Sequence, residues 1–329
     1  LDISRANEAI RCGYSYLNTQ DWREFNQLRH GPSDALHWAG AYIARCMPSL
    51  GQSVIAAGHF QSLPLPGVVS FSENAPPDAD STANSTLAVF EATGLQRQSL
   101  VPVAACYLLS HQGENGGFST YTHEEVRWIY PGISPADAIG WTSPQMDVTA
   151  LVLRTLGRII MEGYMSEELV TPCRRAYQFL LDNLETGVAN AYWWSTDLYL
   201  LYHLSELCSE WPEHTADLRA QIQRILEEIP ARFNNRYGQE CPFSGALGLM
   251  TLLRMQGADR QAEELVSCLL ECQCDDGSWR APPILRVPRP NVLLPSEQDR
   301  HVPEDKGLLT TATVTQALCK FQRVRERRV

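Results

Sequence analysis

PPDADSTANSTLAVFEATG, residues 76–94, closes a loop with two prolines and then runs into small and apolar residues on nearly every helical face. A helix that is apolar all round has no side to offer water and must be buried. Asp78 and Asp80 stand where N-cap residues stand, and Gly94 is a natural stop. A soluble chain that buries whole helices needs other helices to surround them, and this sequence carries both kinds.

Five further segments share the design: SDALHWAGAYIARC (33–46), MDVTALVLRTLGRII (146–160), AYWWSTDLYLLYHLSEL (191–207), FSGALGLMTLLRMQG (243–257) and LLTTATVTQALCKFQ (308–322). Between them lie amphipathic stretches with charged faces at 3–17, 166–184, 215–233 and 259–273, a milder one at 98–112, and one expected within 50–62. Outer helix then inner helix, six times over, predicts an all-α fold, an (α/α)6 toroid of six hairpins, with residues 1–329 as a single domain. If every inner helix follows an outer one, all inner helices run the same way. Their N-termini, with Asp34, Asp80, Asp147 and Thr310, then gather at one mouth beside the loops 61–79, 113–145 and 275–307. Asp34 and Asp147 read as caps or structural partners. The apolar stretch 53–69 reads as a buried connection or an entry lip.

Composition narrows the partners. The chain has 329 residues and a formal net charge of −11. Its basic residues form a block only at RVRERR, 323–328, so no nucleic acid is expected and at most peripheral membrane contact. Ten cysteines are scattered through helical patterns and read as buried free thiols in a reducing cytoplasm. Cys268, Cys272 and Cys274, with His301 downstream, lack a zinc spacing. Neither a metal nor a cofactor is expected. No signal peptide and no membrane-length apolar run is visible, which points to the cytoplasm.

Two outer-to-inner connections repeat a pattern of Gln, polar residues, Gly and an aromatic: HQGENGGFSTY (111–121) and QCDDGSWRAP (273–282), with NTQDWREF (18–25) as a decayed copy. Gly allows the turn, the aromatic covers the helix start, and Gln bonds exposed backbone. With Asp78-Ala79-Asp80-Ser81-Thr82-Ala83 at an inner-helix start, and SPQMDVTALVLRTLG at 143–157, the chain resembles the squalene–hopene and oxidosqualene cyclase superfamily, the class II terpene cyclases. Their pattern is DxDD-T-A. Here Ser81 takes the fourth position, no His precedes Asp147 (His123 is the nearest), and the length leaves no room for a second helical domain. The protein-prenyltransferase β subunit shares the ring, but its zinc-binding residues have no counterpart here.

The resemblance implies cyclisation of a prenylated or polyene substrate, started by a proton from Asp80. An alkene is a very weak base, so the acid must be kept protonated by burial and by a neighbouring carboxylate, Asp78. Ser81, Thr82 and Asp78 are candidates to orient it. The carbocation would then be held by aromatic faces, each contributing about 0.5–2 kcal/mol. Trp38, Tyr42, Trp141, Tyr192, Trp194 and Phe243 are the candidates, with Trp193 and Tyr199 in reserve. Trp193 and Trp194, adjacent on a helix, cannot both face the lumen. A small, neutral prenylated molecule of meroterpenoid type fits a single barrel, with a second copy or a partner capping the mouth. Arg286 and Arg289 are the residues that could hold an anion near that mouth. Two other readings stand beside this one: a glycan-active toroid pairing Asp80 with Glu125 or Asp147, and a non-catalytic toroid that binds an apolar ligand.

Overall fold

The computed structural model describes residues 3–20, 37–46, 67–72, 74–93, 100–186, 189–227, 233, 240–257, 259–296, 298–304 and 306–327. Asp34, the expected helix within 50–62, and most of 53–69 and 18–25 lie outside these residues. The helices are α1 (Ile3–Asn18), α2 (His37–Cys46), α3 (Ala79–Ala88), α4 (Val101–Leu109), α5 (His123–Ile129), α6 (Ile139–Thr142) and α7 (Met146–Met161). They continue as α8 (Ser166–Glu185), α9 (Leu198–Glu210), α10 (Ala216–Leu226), α11 (Pro242–Met255), α12 (Arg260–Glu271) and α13 (Leu308–Glu326). A two-stranded sheet joins β1 (Leu285–Val287) and β2 (Arg300–Val302). The class is all-α, as the periodicity predicts.

The apolar-all-round segments are the buried ones. All residues of α3 except Asp80 are buried, as are those of α11 except Arg254, while α8 and α12 bury a single stripe. Three expectations change. The 113–145 stretch is not one loop but carries α5 and α6. The helix expected over 191–207 starts only at Leu198, so Trp193 and Trp194 lie on irregular backbone. The helix from residue 79 leaves α geometry at Val89 and finishes as a π-turn over Val89–Thr93.

The chain forms two compact units, Gly31–Trp193 with Arg286–Arg300, and Leu1–His30 with Trp194–Leu285 and His301–Val329. In the first, α2 and α7 both pack on α3. Trp38, near the start of α2, lies beside Asp80 at the start of α3. At the far ends, Glu91 accepts from Arg45 at 3.2 Å and from Arg154 at 2.8 Å. Starts meet starts and ends meet ends, so these three inner helices run parallel. The second unit repeats the device. Trp194 stacks on both Tyr199 at the start of α9 and Phe243 at the start of α11, and Glu206 near the end of α9 binds Arg254 and Lys320.

The two Gln–Gly–aromatic loops are built alike, one in each unit. Gln112 donates to the carbonyls of Gly116 at 2.9 Å and Pro172 at 2.8 Å. Gln273 donates to those of Gly277 and Ala9, both at 3.0 Å. The backbone N–H of Phe118 donates to Thr149 Oγ1, and that of Trp279 to Thr311 Oγ1. Thus the loop is tied at once to an outer helix and to the first turn of the next inner one. Gly116 (φ +91°) and Gly277 (φ +84°) cannot be replaced, since a Cβ would lie 2.5 Å from the Arg175 carbonyl or 2.7 Å from that of Cys12. Phe118 and Trp279 are fully buried; burying a side chain of the Phe class stabilises by about 1.5–3 kcal/mol.

Candidate active site

Asp78 and Asp80 differ in geometry. Asp78 is the N-cap of α3: its backbone is extended (φ −145°, ψ 159°), and its Oδ1 accepts from the Ser81 backbone N–H at 2.7 Å. Its Oδ2 is buried and has no hydrogen-bond partner among the described residues. Asp80 lies in the first turn and caps nothing. Asp78, Ala79, Ser81 and Thr82 are all buried, whereas Asp80 alone keeps some accessible surface.

Electrostatics separates the two acids further. Burial, then the Asp78 charge, then the Asp147 charge hold the Asp80 carboxyl well above the ordinary carboxylate range. Trp38 and the nearby Arg45 oppose this without overcoming it. Burial raises Asp78 to about 7, against the hydrogen bonds from Ser81. Glu125 pushes Asp78 up and His111 pulls it down.

A group that sequence reasoning missed sits behind Asp78. His111 is buried, and its Nε2 is 2.9 Å from Glu125 Oε2. Glu125 also accepts from the Tyr107 hydroxyl at 2.5 Å and from the Thr122 backbone N–H at 2.7 Å. Thr122 and Glu125 form a capping box on α5, a local signal legible in THEE (122–125). These bonds hold the Glu125 carboxyl below its usual range despite burial. Tyr121, also unanticipated, is buried where Asp78, Glu125 and Asp80 all push its phenol up.

The expected aromatic wall is only partly assembled in one place. Trp38 lies beside Asp80 and stacks on Tyr42, ring centroids 5.1 Å apart. Trp141, Tyr192 and Trp193 gather with Tyr121, with Trp141–Trp193 at 5.6 Å and Tyr121–Trp141 at 5.5 Å. Trp194 and Phe243 belong to the other compact unit, stacked at 5.4 Å with Tyr199 beside them.

Asp147 and Arg286 explain why Trp193 is not helical. Asp147 Oδ2 accepts from the backbone N–H groups of Tyr192 at 3.0 Å and Trp193 at 3.1 Å. Arg286, with no exposed surface, donates to the carbonyls of Ala191 and Tyr192, and its own N–H donates to that of Trp193 at 2.7 Å. Asp147 is therefore the structural partner expected. Arg286 is not the anion holder expected at the mouth: its guanidinium holds the 191–192 backbone in the interior. Among the described residues no cluster of three His, Cys, Asp or Glu could hold a metal ion, and no helix is long and apolar enough to cross a membrane.

A carboxyl tuned this way binds its proton more tightly in the folded chain than in the unfolded one. For Asp78 that contribution is full below the unfolded value of 3.8 and is lost as pH rises through the folded value of about 7. Asp78→Asn keeps a capping oxygen and removes the titration. The variant should therefore gain stability relative to the parent between about pH 4 and pH 8, read by urea unfolding. A difference that stays constant over this range would mean that Asp78 ionises as it would in water.

No family model and no curated protein matches the sequence. Solved structures do match. The type II terpene cyclase MstE from Scytonema is 20% identical, with a TM-score of 0.73 over 98% of this chain and 99% of that one. The ent-copalyl diphosphate synthase from Streptomyces platensis is 16% identical, with a TM-score of 0.61 over 87% of this chain and 50% of that one. A possible member of the GH105 family from Salmonella enterica is 14% identical, with a TM-score of 0.63 over 98% and 95%. Along its whole length, the chain has the all-α fold of the type II terpene cyclase MstE.

Proposed function

We propose that this chain is a class II, protonation-initiated terpenoid cyclase, that residues 1–329 act as one catalytic domain, and that Asp80 is its acid. The observation that carries the reading is a carboxyl that burial and Asp78 push well above the ordinary carboxylate range, on a residue that retains accessible surface. Fold alone would not decide the chemistry, since the GH105 likeness is nearly as extensive. The partners proposed for a glycosidase-type pair are otherwise engaged, Asp147 by backbone and Glu125 by His111 and Tyr107.

In the proposed reaction Asp80 gives its proton to the terminal double bond of a prenyl chain. The neighbouring double bonds attack in turn, and a final proton loss closes the sequence, so the product is an isomer of the substrate. Asp78 and Ser81 set the acid: Ser81 fixes Asp78, and Asp78 holds Asp80 protonated. Trp38 and Arg45 stabilise the Asp80 carboxylate that forms once the proton has gone. Tyr42, Trp141 and Tyr192 offer aromatic faces to the cation, and Trp194 and Phe243 are assigned the same role on the other unit. The substrate class is a small prenylated aromatic compound. A variant of MstE was solved with geranylgeranyl dihydroxybenzoate as substrate, and another with merosterolic acid A as product.

Geranylgeranyl dihydroxybenzoate is therefore the first probe to use. In deuterium oxide the product should carry one deuterium on carbon, at the carbon first protonated, with unchanged mass in ordinary water. A cyclised product free of carbon-bound deuterium, or release of a hydrolysis product, would remove protonation as the first step.

A further inference from the structure

The one basic block of an acidic chain, RVRERR, ends α13 and has no part in the chemistry above. Arg323 and Arg327 line an open cleft of about 230 Å³ together with Arg254 and Lys320. Met250, Leu253 and Val324 make up the rest of its wall. Glu206 is the acid that answers this cluster: it bonds Arg254 Nε at 3.0 Å and Nη2 at 3.1 Å, and Lys320 Nζ at 3.0 Å. Arg323 and Arg327 make no hydrogen bond or ion pair among the described residues. They are four residues apart on one helix, a spacing at which like charges repel.

Cations near helix C-termini are favoured by the backbone dipoles, and α11 and α13 both end here. That accounts for positive charge at these ends. It does not account for four cations facing one concavity, nor for the apolar side of that concavity. An anion set between Arg323 and Arg327 would remove their repulsion and meet planar donors suited to phosphate oxygens. An alkyl chain attached to the anion would lie against Met250, Leu253 and Val324.

We propose that this cleft binds a phosphate group carried on an apolar chain, a role independent of the chemistry at Asp80. The chemistry is common to a free alkyl or prenyl phosphate and to the headgroup of an anionic lipid. The test uses the full chain, monomeric decyl phosphate and inorganic phosphate in titration calorimetry, and phosphatidylcholine vesicles with and without phosphatidylglycerol in co-sedimentation.

Decyl phosphate should bind more tightly than inorganic phosphate, and the pair Arg323→Ala with Arg327→Ala should weaken it about tenfold or more. Arg323 lies on the exposed last turn of α13 and Arg327 is its exposed C-cap, so the fold should survive; Arg327→Glu alone gives the same readout with a smaller change. Vesicle binding that needs phosphatidylglycerol and is lost in the double variant assigns the lipid source. Decyl phosphate binding without vesicle binding assigns the free one. Binding should persist in Asp80→Asn, which separates this cleft from the proposed reaction. Failure of decyl phosphate and of vesicles to bind, or affinity unchanged in the double variant, would overturn the proposal.

Discussion

Asp80→Asn is expected to abolish cyclisation while leaving the prenylated substrate bound. The amide keeps the shape of the carboxyl, but it has no proton acidic enough for an alkene. A positioned general acid typically contributes roughly 10²–10⁴-fold. Here the proton also creates the cation on which every later bond depends, so the loss should reach or exceed the top of that range. Affinity should change by only a few-fold, because Asp80 offers one edge of a long apolar ligand's contact. Single-turnover product analysis and calorimetry on the same preparation give both numbers. Turnover within about tenfold of the parent would end the assignment of Asp80 as the acid. Loss of both turnover and binding would favour a merely structural role for the carboxyl.

What could be read in advance follows a physical division between local and distant causes. The start of α3 was legible because proline, an N-cap aspartate and small residues act over neighbouring positions. Which of two aspartates two residues apart forms the cap was not, since either side chain can reach a backbone N–H from sequence alone. The bounds of α8, Ser166–Glu185, follow the charged stripe closely, and those of α13 run one turn beyond the expected end. By contrast, 191–197 looks helical by composition and is not. Its backbone donors and acceptors are claimed by Asp147, 45 residues upstream of Tyr192, and by Arg286, 94 residues downstream of it. Local propensity loses to bonds of that reach.

The same division runs through the candidate site. Asp78, Asp80 and Ser81 were found because their spacing is a short motif. Trp38 was singled out as an aromatic on an inner helix, but its place beside Asp80 was invisible. His111 stood inside a quoted loop and drew no notice, because its partner Glu125 lies across that loop. The cap pattern Thr122–Glu125 was present in the sequence and would have placed Glu125 near the loop's end. Arg286 went wrong for a different reason. Arginine is almost never fully buried unless its donors are satisfied, so the surface was the reasonable expectation. Backbone carbonyls gathered from residues 191 and 192, and the Asp147 carboxyl nearby, help to make the interior tolerable.

That unusual burial leads to the second large effect expected. Arg286→Leu should cost about 3–5 kcal/mol of unfolding free energy, the range for breaking a buried charged partnership from one side. Two carbonyls, of Ala191 and Tyr192, lose their charged donor, and the Asp147 carboxyl loses the cation that pulls its pKa down. Asp147 is already raised by burial. With Arg286 gone it should rise further and take up a proton, which limits the electrostatic part of the loss. The pair Arg286→Leu with Asp147→Asn should therefore be less destabilised than the two single changes added together. Arg286→Lys should not rescue fully, because one ammonium cannot reproduce the guanidinium's reach to both carbonyls. Urea unfolding measures the stability change, and near-ultraviolet circular dichroism follows the Tyr121, Trp141, Tyr192 and Trp193 cluster, which should lose its fixed packing. If Arg286→Leu cost less than about 1 kcal/mol, the 191–193 backbone would be held by something other than this arginine, and the aromatic wall beside Asp80 would have a different foundation.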